Sequence, residues 1–139
     1  MALTVRLVSP ERVLFTGEAT FVTARTEGGG DITFLAGHTS FIGALGTHPV
    51  TIRLAEGETG AGSKPGEDLV VAVHGGFVEV ANDTVTILSD LAELAAEVDA
   101  ERARAALTAA ETAVRDDPDD AEAQAAQARA NVRVTVADG

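Results

Sequence analysis

The sequence divides into two parts of opposite composition, and this division limits the possible folds more than any other feature. All five phenylalanines, 13 of the 14 glycines and all three histidines lie in residues 1–90. Residues 91–139 contain 17 alanines and no glycine before Gly139. A part rich in glycine and β-branched residues, joined to a part made of strong helix formers, is typical of a β domain followed by helices.

Residues 1–90 show short runs in which apolar residues alternate with polar ones. The alternating apolar positions are Leu3, Val5, Leu7, Ile32, Phe34, Val50, Ile52, Leu54, Val71, Val73, Val85 and Ile87. Turn signals separate the runs: a bend is expected at Gly75-Gly76, a turn at Asn82-Asp83 and an exposed hairpin loop at Glu56–Glu67. Many short strands without helical spacing between them predict an antiparallel sandwich or barrel.

Residues 91–139 predict a linker followed by two helices. Residues 98–114 are almost all strong helix formers, and the acidic segment 116–120 contains a proline that must end this first helix. Asp119 or Asp120 can cap a second helix that reaches about Asn131. Because the connection is short, the two helices are expected to form an antiparallel hairpin.

Two features of this hairpin stay open on sequence alone. The first helix has two candidate caps, Asp90 with Glu93, and Asp99. The apolar face of the hairpin consists mainly of alanine, which buries much less area than leucine or phenylalanine. Helices of about 15 residues also need tertiary packing to be stable. The hairpin could therefore dock weakly and leave its resting place, or it could simply be a fixed alanine-rich hairpin.

Composition excludes several functional classes. The chain carries 22 acidic against 10 basic residues, and a formal charge of −12 repels nucleic acid and anionic lipid. It has no cysteine, so disulfides and thiolate metal sites are excluded. No apolar run approaches the roughly 18 to 20 residues that a membrane span requires, and the N-terminus lacks a secretory pattern. We therefore expect a soluble, intracellular protein.

No catalytic or metal site emerges from the motifs. His74-Gly75-Gly76 is similar to the oxyanion strand of some esterases, but the G-x-S-x-G elbow is missing. Residues 60–64, GAGSK, lack the full P-loop pattern, and residues 116–120 lack the spacing of a calcium loop. The three histidines are far apart in sequence. The sequence predicts neither catalytic residues nor metal ligands.

Four segments, in order, carry a specific resemblance. They are LTVRLVSPERVLFTGEA at 3–19, GDITFLAGHTSFIGAL at 30–45, LVVAVHGGFVEVANDTVTIL at 69–88 and VDAERARAAL at 98–107. In this order and spacing the chain resembles the epsilon subunit of the F-type ATP synthase. The resemblance implies a flattened β-sandwich of about ten strands, here residues 1–90, and a C-terminal helical hairpin within residues 91–139.

The resemblance implies a non-catalytic rotor subunit. In that family the sandwich binds the gamma subunit and the c-ring, which helps couple proton flow to ATP synthesis. The matching segment here is 30–41, so Gly30, Asp31, Gly37 and His38 are candidate contacts to gamma or the c-ring. The hairpin of the family can extend toward the catalytic alpha and beta subunits and restrain ATP hydrolysis. The implied location is the cytoplasmic face of the bacterial plasma membrane, as a peripheral subunit without direct lipid insertion.

A nucleotide site is also implied, because some family members bind regulatory ATP in the folded hairpin although no cofactor is required. The residues matching that site are Glu93, Asp99, Arg102, Arg129 and Arg133. Guanidinium groups suit phosphate oxygens, whereas Asp99 and Arg102 could instead form a helix cap and an ion pair within the hairpin. A further basic position of the family is Ala109 here, which should weaken phosphate binding.

Other departures and alternatives remain. Ala36 replaces the usual proline before Gly37, the loop at 56–67 is longer than usual, and the hairpin contains only five basic residues. If inhibition depends on basic residues that meet acidic loops of beta, this acidic hairpin should inhibit weakly. The alternative functions are a free-standing nucleotide-sensing protein and an enzyme built on the sandwich.

Overall fold

The computed structural model describes residues 2–58 and 66–138 of the chain. Seven strands come first: β1 Leu3–Val8, β2 Val13–Arg25, β3 Asp31–Leu35, β4 Phe41–Leu54, β5 Asp68–Ala81, β6 Thr84–Leu88 and β7 Ala92–Leu94. A short 3-10 helix, Ala95–Glu97, leads to two α-helices, α1 Ala100–Asp116 and α2 Ala121–Asp138. The predicted fold class, a β-sandwich followed by a helical hairpin, is therefore confirmed.

The sheet closes on itself. Its strands follow the order β1-β6-β5-β4-β2-β3, and β1 also pairs with β2, so that five strands form a closed ring with β3 at the edge. All pairings are antiparallel except β1 with β6. This parallel pair departs from the predicted all-antiparallel sheet. It needs no crossover helix because the other strands of the sandwich make the connection between β1 and β6.

The described residues form seven strands, which roughly fits the number of about ten implied by the resemblance, since three of the seven are long. β2 contains 13 residues, and β4 and β5 contain 14 each. β5 pairs with β7 through Val71–Val73 and with β6 through Phe77–Ala81, and the predicted bend at Gly75 and Gly76 lies between these regions. A Cβ on Gly76 would lie 2.1 Å from the carbonyl oxygen of Leu88, so only glycine fits there.

The predicted turns agree with the structure wherever it describes them. Asn82 and Asp83 join β5 to β6 with φ angles of 51° and 59°, the left-handed values of a two-residue hairpin turn. Of the predicted loop at 56–67, residues 59–65 lie outside the described residues.

The main hydrophobic core is built entirely from the strands. Alternation along β1 buries Leu3, Val5 and Leu7 completely, as the sequence predicts. The largest fully buried side chains also include Phe34, Ile52, Leu54 and Ile87. No helical residue belongs to this core cluster within the described part of the chain. The sandwich therefore has a complete interior without the hairpin.

The segment predicted as a linker begins with a strand. β7 pairs with β5 and buries Ala92 at 4% exposure, although the predicted sandwich boundary is residue 90. The following 3-10 helix is held to the sandwich by Glu97, which accepts hydrogen bonds from Arg12 at 2.7 Å and from the Leu94 backbone at 2.9 Å. These bonds lower the pKa of Glu97, and the Leu94 bond contributes most.

The hairpin shows which of the predicted caps are used. Asp99 begins α1 by accepting from the backbone N–H of Arg102 at 3.1 Å, whereas Asp90 does not cap a helix. Asp120 caps α2 by accepting from the N–H groups of Glu122 and Ala123 at 3.0 and 3.2 Å. α1 ends at Asp116, close to the predicted end.

The predicted end of α2 near Asn131 is wrong, because the helix continues to Asp138. The last turns contain the β-branched run VRVTV, which has low helix propensity. Val132 and Val136 are nevertheless 4% and 1% exposed, since they pack on Ala72 and Val70 of β5. Tertiary packing thus outweighs the local preference against helix.

Alanine supplies most of the buried positions of the hairpin, in agreement with its predicted alanine-rich apolar face. The buried alanines are Ala103 and Ala110 in α1 and Ala123 and Ala130 in α2, seven residues apart in each helix. α2 is the helix that lies against β4 and β5. Neither helix is long and apolar enough to span a membrane, as far as the described residues show.

Candidate functional site

A cleft opens where the hairpin meets the end of the sandwich. β7 contributes Glu93, the start of α1 contributes Asp99 and Arg102, and α2 contributes Arg133. The cleft has a volume of about 310 Å³, and Ala103 and Ala106 supply part of its apolar wall. Four of the five residues predicted for nucleotide binding therefore line one cavity although they lie up to 40 positions apart in sequence.

Glu93 connects the sandwich to the hairpin in this cleft. Its Oε1 accepts a hydrogen bond from Nε of Arg133 at 2.7 Å and lies 2.8 Å from Nε2 of His74. The Glu93 and Arg133 side chains are 22% and 30% exposed, whereas that of His74 is only 4% exposed. The carboxylate thus binds one group from the sheet and one from the hairpin.

The Arg102 side chain makes no ion pair or hydrogen bond within the described part of the chain, although its backbone N–H is capped by Asp99. The helix-cap interpretation of Asp99 is therefore confirmed, but the ion pair expected beside it does not form. A guanidinium that lines a cleft without a carboxylate partner is available to an anionic ligand.

Arg129 is the predicted nucleotide residue that the structure does not bring to the cleft wall. Its guanidinium pairs instead with Glu122 in the same helix, at 2.9 Å. Its charge still reaches the neighbourhood of the cleft, because it contributes to lowering the pKa of His74.

The environment of His74 favours a neutral imidazole. Burial is the largest cause that lowers its pKa, and Arg133 and Arg129 act in the same direction, while the hydrogen bond to Glu93 opposes them. Its Nδ1 is buried without a hydrogen-bond partner among the described residues. Sequence reasoning assigned no function to His74, since only the fold brings it to Glu93.

The four predicted stalk-contact residues lie in two places. Gly30 and Asp31 are exposed at the start of β3, where Asp31 pairs with Arg25 at 2.9 Å. Gly37 and His38 follow the other end of β3. The two ends of this strand are about 17 Å apart, because it contains five extended residues.

The Gly37–His38 end is well ordered by local contacts. The Gly37 N–H donates to Asp83 at 2.7 Å, and the His38 ring packs edge-on against Phe34 with their centroids 5.1 Å apart. The left-handed φ of 84° at Gly37 suits glycine.

A row of apolar residues crosses the outer face of the sandwich. The register of neighbouring strands places Val13, Val8, Leu88, Phe77 and Ala44 side by side, from β2 through β1, β6 and β5 to β4. Val13 and Phe77 are each 57% exposed, and Leu88 is 51% exposed. We call these five residues the apolar row.

The surroundings extend this surface. Ile42, two positions from Ala44 on the same strand, is 70% exposed. A groove of about 460 Å³ runs beside the row and is lined by Pro10, Phe77 and Leu88 among others. Sequence reasoning missed this surface. The sequence signal for this surface is the presence of apolar residues at those positions of β5 and β6 where regular alternation would place polar ones.

The geometry defines a class of protein, namely a β-sandwich that exposes a row of apolar residues and carries a helical hairpin. A family model described as "ATP synthase, Delta/Epsilon chain, beta-sandwich domain" matches residues 2–95. The chain belongs to this ATP synthase delta/epsilon family.

Curated relatives agree over almost the whole chain. The chain is 45% identical to an ATP synthase epsilon chain of Streptomyces griseus, over 95% of this chain and 92% of the relative. It is 43% identical to that of Thermobifida fusca, over 97% and 91%, and 40% identical to that of Streptomyces coelicolor, over 99% and 96%. The resemblance to epsilon subunits is therefore confirmed. Proteins of this type are subunits of an enzyme complex, the ATP synthase.

Solved structures support the fold. The chain is similar to one in a Euglena gracilis mitochondrial ATP synthase (OSCP/F1/c-ring), with TM-score 0.66, 21% identity and coverage of 99% of this chain and 78% of that one. A chain in the central stalk/c-ring structure of Tetrahymena thermophila mitochondrial ATP synthase gives TM-score 0.53 and 22% identity, over 73% and 69%.

Proposed function

We propose that the chain is the non-catalytic rotor subunit of a bacterial F-type ATP synthase, where it links the gamma subunit to the c-ring and helps couple proton transport to ATP synthesis. The apolar row carries this proposal. Monomeric proteins rarely leave such a contiguous apolar surface open, and the core beneath it is already complete. Family membership provides the partner class that such a surface fits.

The apolar row is proposed to bind gamma. Phe77 and Leu88 pair directly across β5 and β6 and lie at its middle, where an aromatic and an aliphatic anchor contribute most to binding. Gly30, Asp31, Gly37 and His38 remain predicted contacts, divided between the two ends of β3.

Recovery of the chain with gamma tests this proposal. We expect Phe77→Ser with Leu88→Ser to reduce recovery at least tenfold, since each change removes a partly exposed apolar anchor. Leu91→Ser is the matched control, because Leu91 is 42% exposed but lies between β6 and β7, outside the row and outside residues 30–41. Failure of the unchanged chain to bind a gamma-containing complex would contradict the rotor assignment and favour a free-standing nucleotide-sensing protein.

The hairpin is proposed to regulate the complex by leaving the sandwich and restraining ATP hydrolysis at the alpha and beta subunits. Its small apolar contact with β5 is separate from the main core, which supports movement as a unit. A complex assembled with residues 1–97 should hydrolyse ATP faster than one with the full chain. The increase should be modest, because the hairpin has only five basic residues. An unchanged rate of ATP hydrolysis would contradict the proposed regulatory role of the hairpin.

ATP is the proposed regulatory ligand of the cleft. Arg102 has no competing ion pair among the described residues, whereas Arg133 must leave Glu93 to meet a phosphate. Calorimetry should detect ATP binding to the unchanged chain and to Arg115→Ala. The affinity of Arg102→Ala for ATP should be at least tenfold lower. Asp99→Asn keeps a good helix cap, so weaker ATP binding by that variant than by the unchanged chain would report on a direct contact of the Asp99 carboxylate with the nucleotide rather than on helix stability. If calorimetry detected no heat at millimolar nucleotide, the ATP site would be refuted and Asp99 would serve only as a helix cap.

A further inference from the structure

A buried histidine lies at the contact between sandwich and hairpin, and neither the rotor function nor the nucleotide site requires it. His74 is on β5, and its Nε2 lies 2.8 Å from Oε1 of Glu93 on β7. The same oxygen accepts a hydrogen bond from Arg133 of α2 at 2.7 Å. The docked hairpin therefore places a cation next to a buried titratable group.

We propose that His74 acts as a proton-sensitive latch: its neutral imidazole holds the hairpin docked, and protonation releases the hairpin from the sandwich. The proposal rests on the movable hairpin of the proposed function. It concerns docking within this chain and needs no partner subunit.

The hydrogen-bond pattern explains why the docked state prefers the neutral ring. A neutral imidazole with its proton on Nε2 donates to Glu93 and leaves an acceptor at Nδ1. A protonated ring would place a second N–H at Nδ1, where the described residues offer no acceptor. A buried donor without a partner destabilises the state that contains it, and more so when the donor is charged.

The charges around His74 act in both directions. β7 supplies the carboxylate of Glu93, which favours protonation. α2 supplies Arg133 and Arg129, which oppose it, and β4 places the uncharged Thr47 opposite His74. When the hairpin leaves, both arginines leave with α2 and the ring gains access to water, while Glu93 stays on the sandwich.

The sign of the pH effect follows from this change. In the docked state the pKa of His74 is lowered, chiefly by burial. In the undocked state its pKa returns toward about 6.5, so that state binds more protons. Docking is therefore fully favoured above about pH 6.5 and weakens as the pH falls toward the docked pKa, by up to about tenfold per pH unit for one proton.

A distance measurement in the full chain tests the latch. The natural chain has no cysteine, so Glu11→Cys on the sandwich and Glu111→Cys on α1 accept spin labels selectively. Between about pH 8 and about pH 5.5, above the range of most carboxylates, we expect the docked population to fall several-fold. His74→Gln keeps a donor near Glu93 but cannot titrate, so its docked population should not change with pH.

Two controls exclude the other histidines. His38→Gln and His48→Gln should keep the pH response of the unchanged chain, although His48 lies beside α2 in a small cavity. Identical pH profiles for the unchanged chain and His74→Gln, or a hairpin that stays docked throughout, would overturn the latch.

A second measurement covers the case in which His74→Gln does not fold. The NMR titration of His74 in the unchanged full chain should give a pKa below the ordinary histidine value of about 6.5, and Arg133→Met should raise it. Arg115→Met is the matched control and should leave it unchanged. An equal pKa in all three proteins would refute the latch. Binding of gamma uses the apolar row, so the latch and the rotor assignment can fail separately.

Discussion

The contact between α2 and the sandwich can be weakened without touching the main core. Val132 and Val136 are 4% and 1% exposed, and they pack on the outer side of β5, with Ala72 and Val70. Replacing both valines with alanine should undock the hairpin and leave the sandwich folded. Alanine also has a higher helix propensity than valine, so α2 itself should not be weakened.

The expected size follows from the buried groups. Each Val→Ala change removes two methylene equivalents, worth about 0.8 kcal/mol apiece when buried, or about 1.6 kcal/mol per site. Both changes together weaken docking by about 3 kcal/mol, provided that the sites are additive. Because about 1.4 kcal/mol corresponds to a factor of ten, the ratio of docked to undocked hairpin should fall by at least about 100-fold.

The same spin-label pair, on Glu11→Cys and Glu111→Cys, measures this ratio at about pH 8, where the latch is closed. Urea unfolding followed at the sandwich measures its stability separately. Val85→Ala is the matched control, since Val85 is fully buried in the main core. It makes the same chemical change and should lower the urea midpoint without changing the label distance.

A different outcome would refute the reasoning. If the double variant at Val132 and Val136 lowered the urea midpoint as much as Val85→Ala, and the label distance changed in the same transition, hairpin and sandwich would share one cooperative core. The fixed-hairpin interpretation would then be correct, and release of the hairpin would cost the stability of the whole chain.

Three further predictions concern stability and are read from urea midpoints. Gly76→Ala should lower the free energy of unfolding by more than about 4 kcal/mol, because its Cβ would lie 2.1 Å from a backbone oxygen of Leu88. Gly75→Ala should lower it by only about 1 to 2 kcal/mol, which is the cost of the left-handed φ, because the nearest neighbour of its Cβ would lie 3.8 Å away. Equal losses would contradict this steric argument. Ser89→Ala should cost about 1 to 3 kcal/mol, since the Ser89 hydroxyl lies within hydrogen-bond distance of the Gly75 and Leu91 carbonyls at 2.7 and 2.9 Å. A chain ending at Glu97 should still unfold cooperatively, because the main core contains strand residues only, as far as the described residues show. A broad unfolding transition would instead show that the hairpin is needed to complete that core.

The sequence predicts those parts of the fold that depend on local patterns. Alternation in β1 and the turn at Asn82-Asp83 follow from interactions within a few residues, and the structure confirms them. Asp99 is one of the two caps that the sequence offers for α1, and the structure selects it. The end of α2 could not be predicted in this way, since Val132 and Val136 are helical only because a distant strand covers them.

The candidate site was predictable only through resemblance. The matching motif identified Glu93, Asp99, Arg102 and Arg133, which the structure brings to one cleft. Their contacts are long-range, such as the one between Glu93 and Arg133 across 40 positions, and no periodicity encodes them. The apolar row had a local signal, but its continuity appears only when the register of five strands is known.

Glu93 is the point at which docking, proton binding and ligand binding interact. One carboxylate oxygen receives both His74 from the sheet and Arg133 from the hairpin, so a change at either partner alters the other. A phosphate that draws Arg133 away from Glu93 removes a cation from beside His74 and thereby favours protonation of the ring. Within the docked state the two ligands are then coupled, so that protonation of His74 favours the binding of an anion that uses Arg133 in this way. Release of the hairpin at low pH opposes this effect, because it takes Arg102 and Arg133 away from the sandwich side of the cleft.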